Sequence, residues 1–274
     1  MKRSGNFLIY FVFIVLAFAC SKNMGDEDIV YSTDNEHIKS ISMSGKIVHK
    51  YLYEHTGKIV EENCLYYFNR YIYDENERLV KIESAWDRRM YSSTYTAPRT
   101  EFMTSQNSTA DTYRLYMYDR DGNLSKIENY FNETGNGFEH RSTQTFEYEG
   151  SLIAKVTLYS HAPVQATGFT VYTYDKHGNV VNEKYFSNLS YENELISETS
   201  YKYDNYKNPF QIFSMSGSPG MYTNVNNIIE TSSTRHYEVP GFDKYQTEKR
   251  SYEYNKNGYP VKEITEDGKW EYKY

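Results

Sequence analysis

From residue 46 onward the chain alternates aromatic or aliphatic residues with polar ones, in short runs broken by polar turns. The run YMYDRDGNLSKI, Tyr116 to Ile127, shows the unit in full: two alternating segments either side of Asp119-Arg120-Asp121-Gly122. Period-two alternation rich in Tyr, Val and Ile predicts half-buried strands, and an Asp-x-x-Gly link between two of them predicts a β-hairpin. Related copies begin at Tyr51, Tyr71, Phe146, Tyr172, Tyr201 and Tyr252, which places the second Tyr of the seven copies at 53, 73, 118, 148, 174, 203 and 254. The uneven intervals exclude a strict solenoid.

Asp or Asn at the first turn position bonds its own backbone, and Gly at the fourth accepts a positive φ. Tight turns are therefore expected at 55–57, 120–122, 176–178 and 256–258, each closed by a G1 bulge. Pairing Asp119 with Asn123 sets Tyr118 opposite Leu124 and Tyr116 opposite Lys126, with the stem of Lys126 over the Tyr116 ring, as Lys81 would lie over Tyr71. Leu115, Met117 and Ile127 then share the other face. No amphipathic helical run of a dozen residues follows the N-terminal segment. The expected fold is all-β: an elongated, curled antiparallel β-meander of repeated hairpins, forming one domain over residues 37–274.

The N-terminus reads differently. Lys2 and Arg3 precede an apolar run from Phe7 to Ala19, too short to span a bilayer and of signal-peptide length. Its ending, Ala17-Phe18-Ala19-Cys20, resembles the lipobox of bacterial lipoproteins. The resemblance implies a signal peptide over residues 1–19, removal before Cys20, acylation of that thiol, and membrane lipid as a partner through it. Residues 20–36 read as the lipidated Cys and a flexible acidic tether, and Asp26-Glu27-Asp28 resembles the surface-export signal of Bacteroidales-type lipoproteins. An outer-membrane location, facing either the cell surface or the periplasm, is the expectation.

Composition narrows the function classes. Of 274 residues 31 are Tyr, and the formal charge is −7; loss of Lys2 and Arg3 leaves 28 basic against 37 acidic residues, a net −9. Such a surface is unsuited to a phosphate backbone, so no nucleic-acid partner is expected. Cys64 is the only thiol besides Cys20.

The hairpin unit resembles the YD repeat of Rhs-like proteins. With the lipobox and the late segment Tyr203-Asp204-Asn205-Tyr206-Lys207-Asn208-Pro209-Phe210, the chain also resembles a set of uncharacterised Bacteroidales lipoproteins carrying degenerate copies of it. The resemblance covers most of residues 46–274 and carries no catalytic residue with it.

Candidate chemistry is sparse. Asp119-x-Asp121-x-Asn123 opens like a calcium loop, but Leu124 and Tyr130 stand where an EF-hand needs Gly and Glu. The seven His show no metal-ligand spacing, and Cys64 lies in an alternating strand. No catalytic residue, metal or cofactor is expected. Rings outside the repeat, Trp86, Tyr91, Tyr95, Tyr113, Tyr130, Phe131, Tyr185, Phe186 and Trp270, are the candidates for an exposed aromatic strip that grips a sugar or a protein. The sequence thus points to a non-enzymatic, lipid-anchored envelope protein that binds or scaffolds a protein or polysaccharide. The alternative is a glycan-binding or glycan-active accessory of a polysaccharide uptake system.

Overall fold

The computed structural model describes residues 36–91, 99–133, 135–161, 165–188, 193–236 and 243–274. Cys20, most of the tether and Tyr95 lie outside them.

Seventeen strands run in chain order: β1 (Ser40–Met43), β2 (Lys46–Tyr53), β3 (Ile59–Cys64), β4 (Tyr67–Tyr73), β5 (Leu79–Trp86), β6 (Thr112–Tyr118), β7 (Leu124–Phe131), β8 (Glu139–Glu149) and β9 (Leu152–Ser160). They continue with β10 (Ala166–Tyr174), β11 (Val180–Ser187), β12 (Glu194–Lys207), β13 (Asn226–Arg235), β14 (Lys244–Lys249), β15 (Ser251–Tyr254), β16 (Pro260–Thr265) and β17 (Gly268–Lys273). Every ladder is antiparallel and between sequence neighbours, except that β1 pairs with both β2 and β17. The expected curled meander is what forms, and the curl runs almost to closure as a barrel-like sheet. The single lapse in the ring of ladders among the described residues is at Arg250, where β14 leaves β13 and the chain continues as β15 against β16.

The predicted turns form at Gly57, Gly122, Gly178 and Gly258, with φ of 86°, 86°, 90° and 82°. In the last three the first-position side chain closes the turn: Asp119 Oδ1 accepts from the backbone of Asp121 and Asn123, both at 2.9 Å, and Asp175 and Asn255 repeat the arrangement. The calcium-like spacing at Asp119 is this turn. Register departs from expectation by one residue. The extra turn residue leaves a shift between Met117 and Tyr118, so Tyr116 pairs with Ile127 and Met117 with Lys126. Ile127 therefore faces the core beside Tyr116, and Lys126 faces outward. Lys81 likewise lies over Tyr113, 4.7 Å from its ring centre, and not over Tyr71.

A second device ties copy to copy. In five copies the second Tyr donates its hydroxyl to a main-chain carbonyl one copy back: Tyr73 to Ile59, Tyr118 to Leu79, Tyr148 to Leu124 and Tyr174 to Ile153, at 2.7–2.9 Å, and Tyr203 to Val180. Tyr53 to Ile38 and Tyr274 to Pro260 extend the series to both ends. Ile59, Leu79, Leu124 and Ile153 are themselves the cross-strand partners of the preceding copy's Tyr. Each bond satisfies a buried phenol and pins neighbouring hairpins, at about 1 kcal/mol net apiece.

The main core lies inside the ring, built from Tyr51, Tyr53, Ile59, Tyr71, Leu79, Ile82, Tyr116, Leu124, Ile127 and Tyr272 around Phe213. Phe213 belongs to a short 3₁₀ helix, Pro209–Ser216, in the connection between β12 and β13. Asn208 caps its start by accepting from Phe210 N at 3.0 Å, and Gly217 ends it at φ 72°. This connection enters the barrel from the turn end and touches wall after wall. Phe210 meets Tyr272, Phe213 meets Tyr51 and Tyr71, Gly217 abuts Leu124 and Phe146, and Asn224 accepts from Val180 N. It is a plug.

Candidate binding chamber

Strand alternation sorts side chains into an outer and an inner wall. The outer wall carries ion pairs on one ladder after another: Arg70 with Glu83, Lys126 with Glu128, Lys155 with Glu147, Lys184 with Glu198, Lys202 with Glu230 and Lys262 with Glu253, at 2.7–3.9 Å. A segment holding residues 99–111 covers part of this wall, where Met103 joins Phe68 and Ala85 in a small second core and Ser105 binds Glu61.

Of the candidate rings, Tyr113, Tyr130 and Phe186 lie on the outer wall. Tyr113 stacks on Tyr130 at 4.7 Å, Tyr130 on His140 at 4.9 Å, and His140 meets His161 at 4.4 Å. Phe138 and the Lys81 ammonium take the far side of Tyr113. Phe186 stacks on Phe169, under Lys155. These rings are spent on one another, so the ladder offers edges rather than the free faces a sugar would need. The other candidates separate from it. Trp86 lies inside against Tyr67, Tyr185 lies against Gly168, Trp270 packs on the main core, Phe131 sits exposed at a strand end, and the Tyr91 side chain is outside the description.

Beyond the plug, toward the end of the barrel away from the tight turns, the inner wall turns polar. Glu62 accepts from Tyr67 Oη and Asn69 Nδ2, both at 2.8 Å, with His49 Nδ1 at 3.5 Å. Burial opposes its charge, but the bonds from His49, Asn69 and Tyr67 outweigh it and hold the carboxyl below its usual range. Across the ring Glu183 accepts from Tyr201 at 2.9 Å, and there burial prevails and pushes the carboxyl up. Arg114, on the inner face of β6, stands among Tyr71, Tyr116 and Tyr222. Burial works against its charge, while Tyr116, Tyr71, Tyr222 and Glu62 favour it and keep the guanidinium protonated. Residue types alone could not have found this cluster, because Glu62 and Arg114 share a wall only through the register of β3 to β6, and Tyr222 joins them only because the plug turns inward.

Elsewhere the chemistry is quiet. Burial pushes the Cys64 thiol up to about 11, so it stays protonated at neutral pH. Among the described residues no three His, Cys, Asp or Glu are placed to share a metal ion. A cavity of about 300 Å³ lies between the plug and the wall, lined by Tyr118, Tyr148, Ile153, Tyr174, Met215 and Pro219 among others. Its three phenols are already committed to carbonyls.

No family model and no curated protein matches the chain. Among solved structures it is similar to a porin-like protein from Bacteroides vulgatus, at 9% identity and TM-score 0.51, over 87% of this chain and 98% of that one. A porin-like protein from Bacteroides uniformis aligns at 11% identity and TM-score 0.47, over 88% and 98%. The toxin assembly TcdB2-TccC3 aligns at 14% identity and TM-score 0.31, over 82% of this chain and 12% of that one. The likeness to the Bacteroides vulgatus protein is one of fold: a curled antiparallel barrel of nearly equal length.

Proposed function

We propose that the chain is a non-enzymatic, lipid-anchored protein of the outer membrane whose plugged barrel is a binding module, taking its ligand in the polar chamber beyond the plug. The observation that carries this reading is the contrast between the walls: ion pairs recur on the outside, while the Arg114 guanidinium and the Tyr116 hydroxyl face the inside without a hydrogen-bond partner among the described residues. The same contrast bears on the mode of membrane attachment. A lipid-facing strand charges about 2–4 kcal/mol for each Lys or Arg at mid-bilayer, which is incompatible with ion pairs on so many ladders. Anchoring then falls to Cys20, as the lipobox resemblance and the Bacteroidales-type YD-repeat pattern imply. A glycan is the favoured ligand class, since Glu62, Asn69, Tyr67 and His49 gather donors and acceptors on the inner wall that suit sugar hydroxyls.

Two measurements test the reading. Labelled palmitate fed to expressing cells should enter the protein and be absent from Cys20→Ser; label retained in that variant would refute the anchor. The full chain purified in detergent should bind members of a soluble polysaccharide panel saturably and without turnover. Cleavage abolished by Glu62→Gln or Glu183→Gln would replace the binding role with an enzymatic one.

A further inference from the structure

Arg114 is the unusual group of the inner wall. Its guanidinium makes no hydrogen bond or ion pair among the described residues, although it is half-buried and every strongly buried carboxylate nearby has donors of its own. An interior guanidinium without an acceptor forgoes several charge-assisted bonds, which favours occupation by something carrying acceptors. The groups around it have the same character. Tyr116 Oη is buried without a partner on a side chain 4% exposed, and the hydroxyls of Tyr71 and Tyr222 bind no other described residue. Register sets them together: Tyr71 pairs with Ile82, Ile82 with Arg114, and Tyr116 is two residues along the same strand face, while Tyr222 reaches in from the plug against Phe213. Three hydroxyls and a guanidinium thus gather with no carboxylate or carbonyl bonded to them among the described residues.

Resting on the chamber reading above, we infer that Arg114, with the hydroxyls of Tyr71, Tyr116 and Tyr222, binds the carboxylate of an acidic ligand, a uronic-acid sugar whose ring hydroxyls suit Glu62 and its donors. A planar guanidinium fork matches a carboxylate in two parallel bonds. The ionised Glu62 nearby favours a singly charged group over a phosphate dianion. The two tyrosine hydroxyls on strands can each donate to an oxygen the fork leaves free.

The test is arginine-specific labelling of the full chain with phenylglyoxal, mapped by mass spectrometry. Arg114 should be labelled in the native protein, and saturating galacturonate should slow that labelling at least tenfold while galactose does not. Arg114→Gln should weaken galacturonate binding at least tenfold, and Tyr116→Phe several-fold, with thermal midpoints near that of the parent. Labelling that galacturonate fails to slow would overturn the carboxylate site and leave the chamber reading standing. Protection by sulfate or phosphate in its place would overturn the ligand class. An Arg114 reactive only after unfolding would remove the site and the open chamber together.

Discussion

The hydroxyl of Tyr254 donates to Asp204, fifty residues earlier in the chain. In four other copies the first turn residue closes its own hairpin, as Asp74 does by accepting from Asn76 N and Arg78 N. Asp204 keeps one such bond, from Tyr206 N, but spends its remaining capacity on Asn227 and Tyr254. The strand after it is thereby replaced by the plug, and Asp204 holds the mouth of the connection shut between β12, β13 and β15. Removing the donor leaves a carboxylate short of a charge-assisted bond, at about 1.5–3 kcal/mol. Tyr254→Phe should therefore lower the urea midpoint clearly, whereas Tyr245→Phe, on a side chain 76% exposed, should stay within about 0.5 kcal/mol of the parent. Equal effects would show that the Asp204 bond does not hold the connection.

Glu77 occupies the place that Gly takes in other turns, at φ 66°. A side chain there costs about 1 kcal/mol or more, partly offset by its exposed ion pair with Lys58 at 2.9 Å. Glu77→Gly should raise stability by about 0.5–1 kcal/mol. The reverse change at Gly122, where no atom crowds the added Cβ, should cost only the backbone strain. Gly217→Ala should cost more than Gly122→Ala, because the new methyl would also collide with Leu124 Cδ2 and sit 3.2 Å from Ile127 Cδ1. Thermal midpoints of the three variants, ranked Glu77→Gly above parent above Gly122→Ala above Gly217→Ala, are the check.

Much of the fold was legible because its signals are local. Tyr-x-Tyr and Asp-x-x-Gly specify strand, turn and bulge within a dozen residues, and the turns at Gly57, Gly122, Gly178 and Gly258 form where those residues stand. What escaped was set by distance along the chain. The one-residue shift at Met117 moved Lys126 to the outer wall, since each step of register exchanges faces. The plug carries only Pro209-Phe210 and two glycines as signals, none of which says that the segment turns inward. Pairing of β1 with β17 joins residues more than two hundred apart, and only that closure gives Arg114 an interior to face.

The phenol staples predict a distinct alkaline behaviour. Burial pushes the hydroxyls of Tyr118 and Tyr174 up to about 12, and those of Tyr73 and Tyr203 higher still, against an ordinary value of 10.0. A group raised in the folded state favours its protonated form there, so the unfolded chain loses protons first as pH rises. Stability is then full below about pH 10 and drains away as pH climbs toward 12, with the Cys64 thiol adding the same trend from about pH 9. Absorbance at 295 nm should show a minority of tyrosines ionising near pH 10, then a steep step coincident with loss of β-sheet circular dichroism. A single smooth curve near pH 10 would mean that the staples do not form in solution.

Phe213 should be the most costly single truncation in the plug. Its ring is 5% exposed and touches Tyr51, Tyr71 and Tyr222 at 5.4–6.1 Å between ring centres. Phe213→Ala therefore removes the shared partner of β2 and β4 and leaves a void lined by phenol rings, at about 3–5 kcal/mol. Phe169→Ala, on the outer wall against Phe186 and the Lys155 ammonium, should cost far less. Global destabilisation by itself would not separate a plug from an ordinary core residue, so the reading depends on where protection is lost. In hydrogen exchange under native conditions, the amides of β2 and β4 should open earlier in Phe213→Ala, while those of β10 and β11, whose contacts run through Asn224 and Val180, keep their protection. Uniform acceleration across all strands would show that the barrel closes without help from the segment inside it.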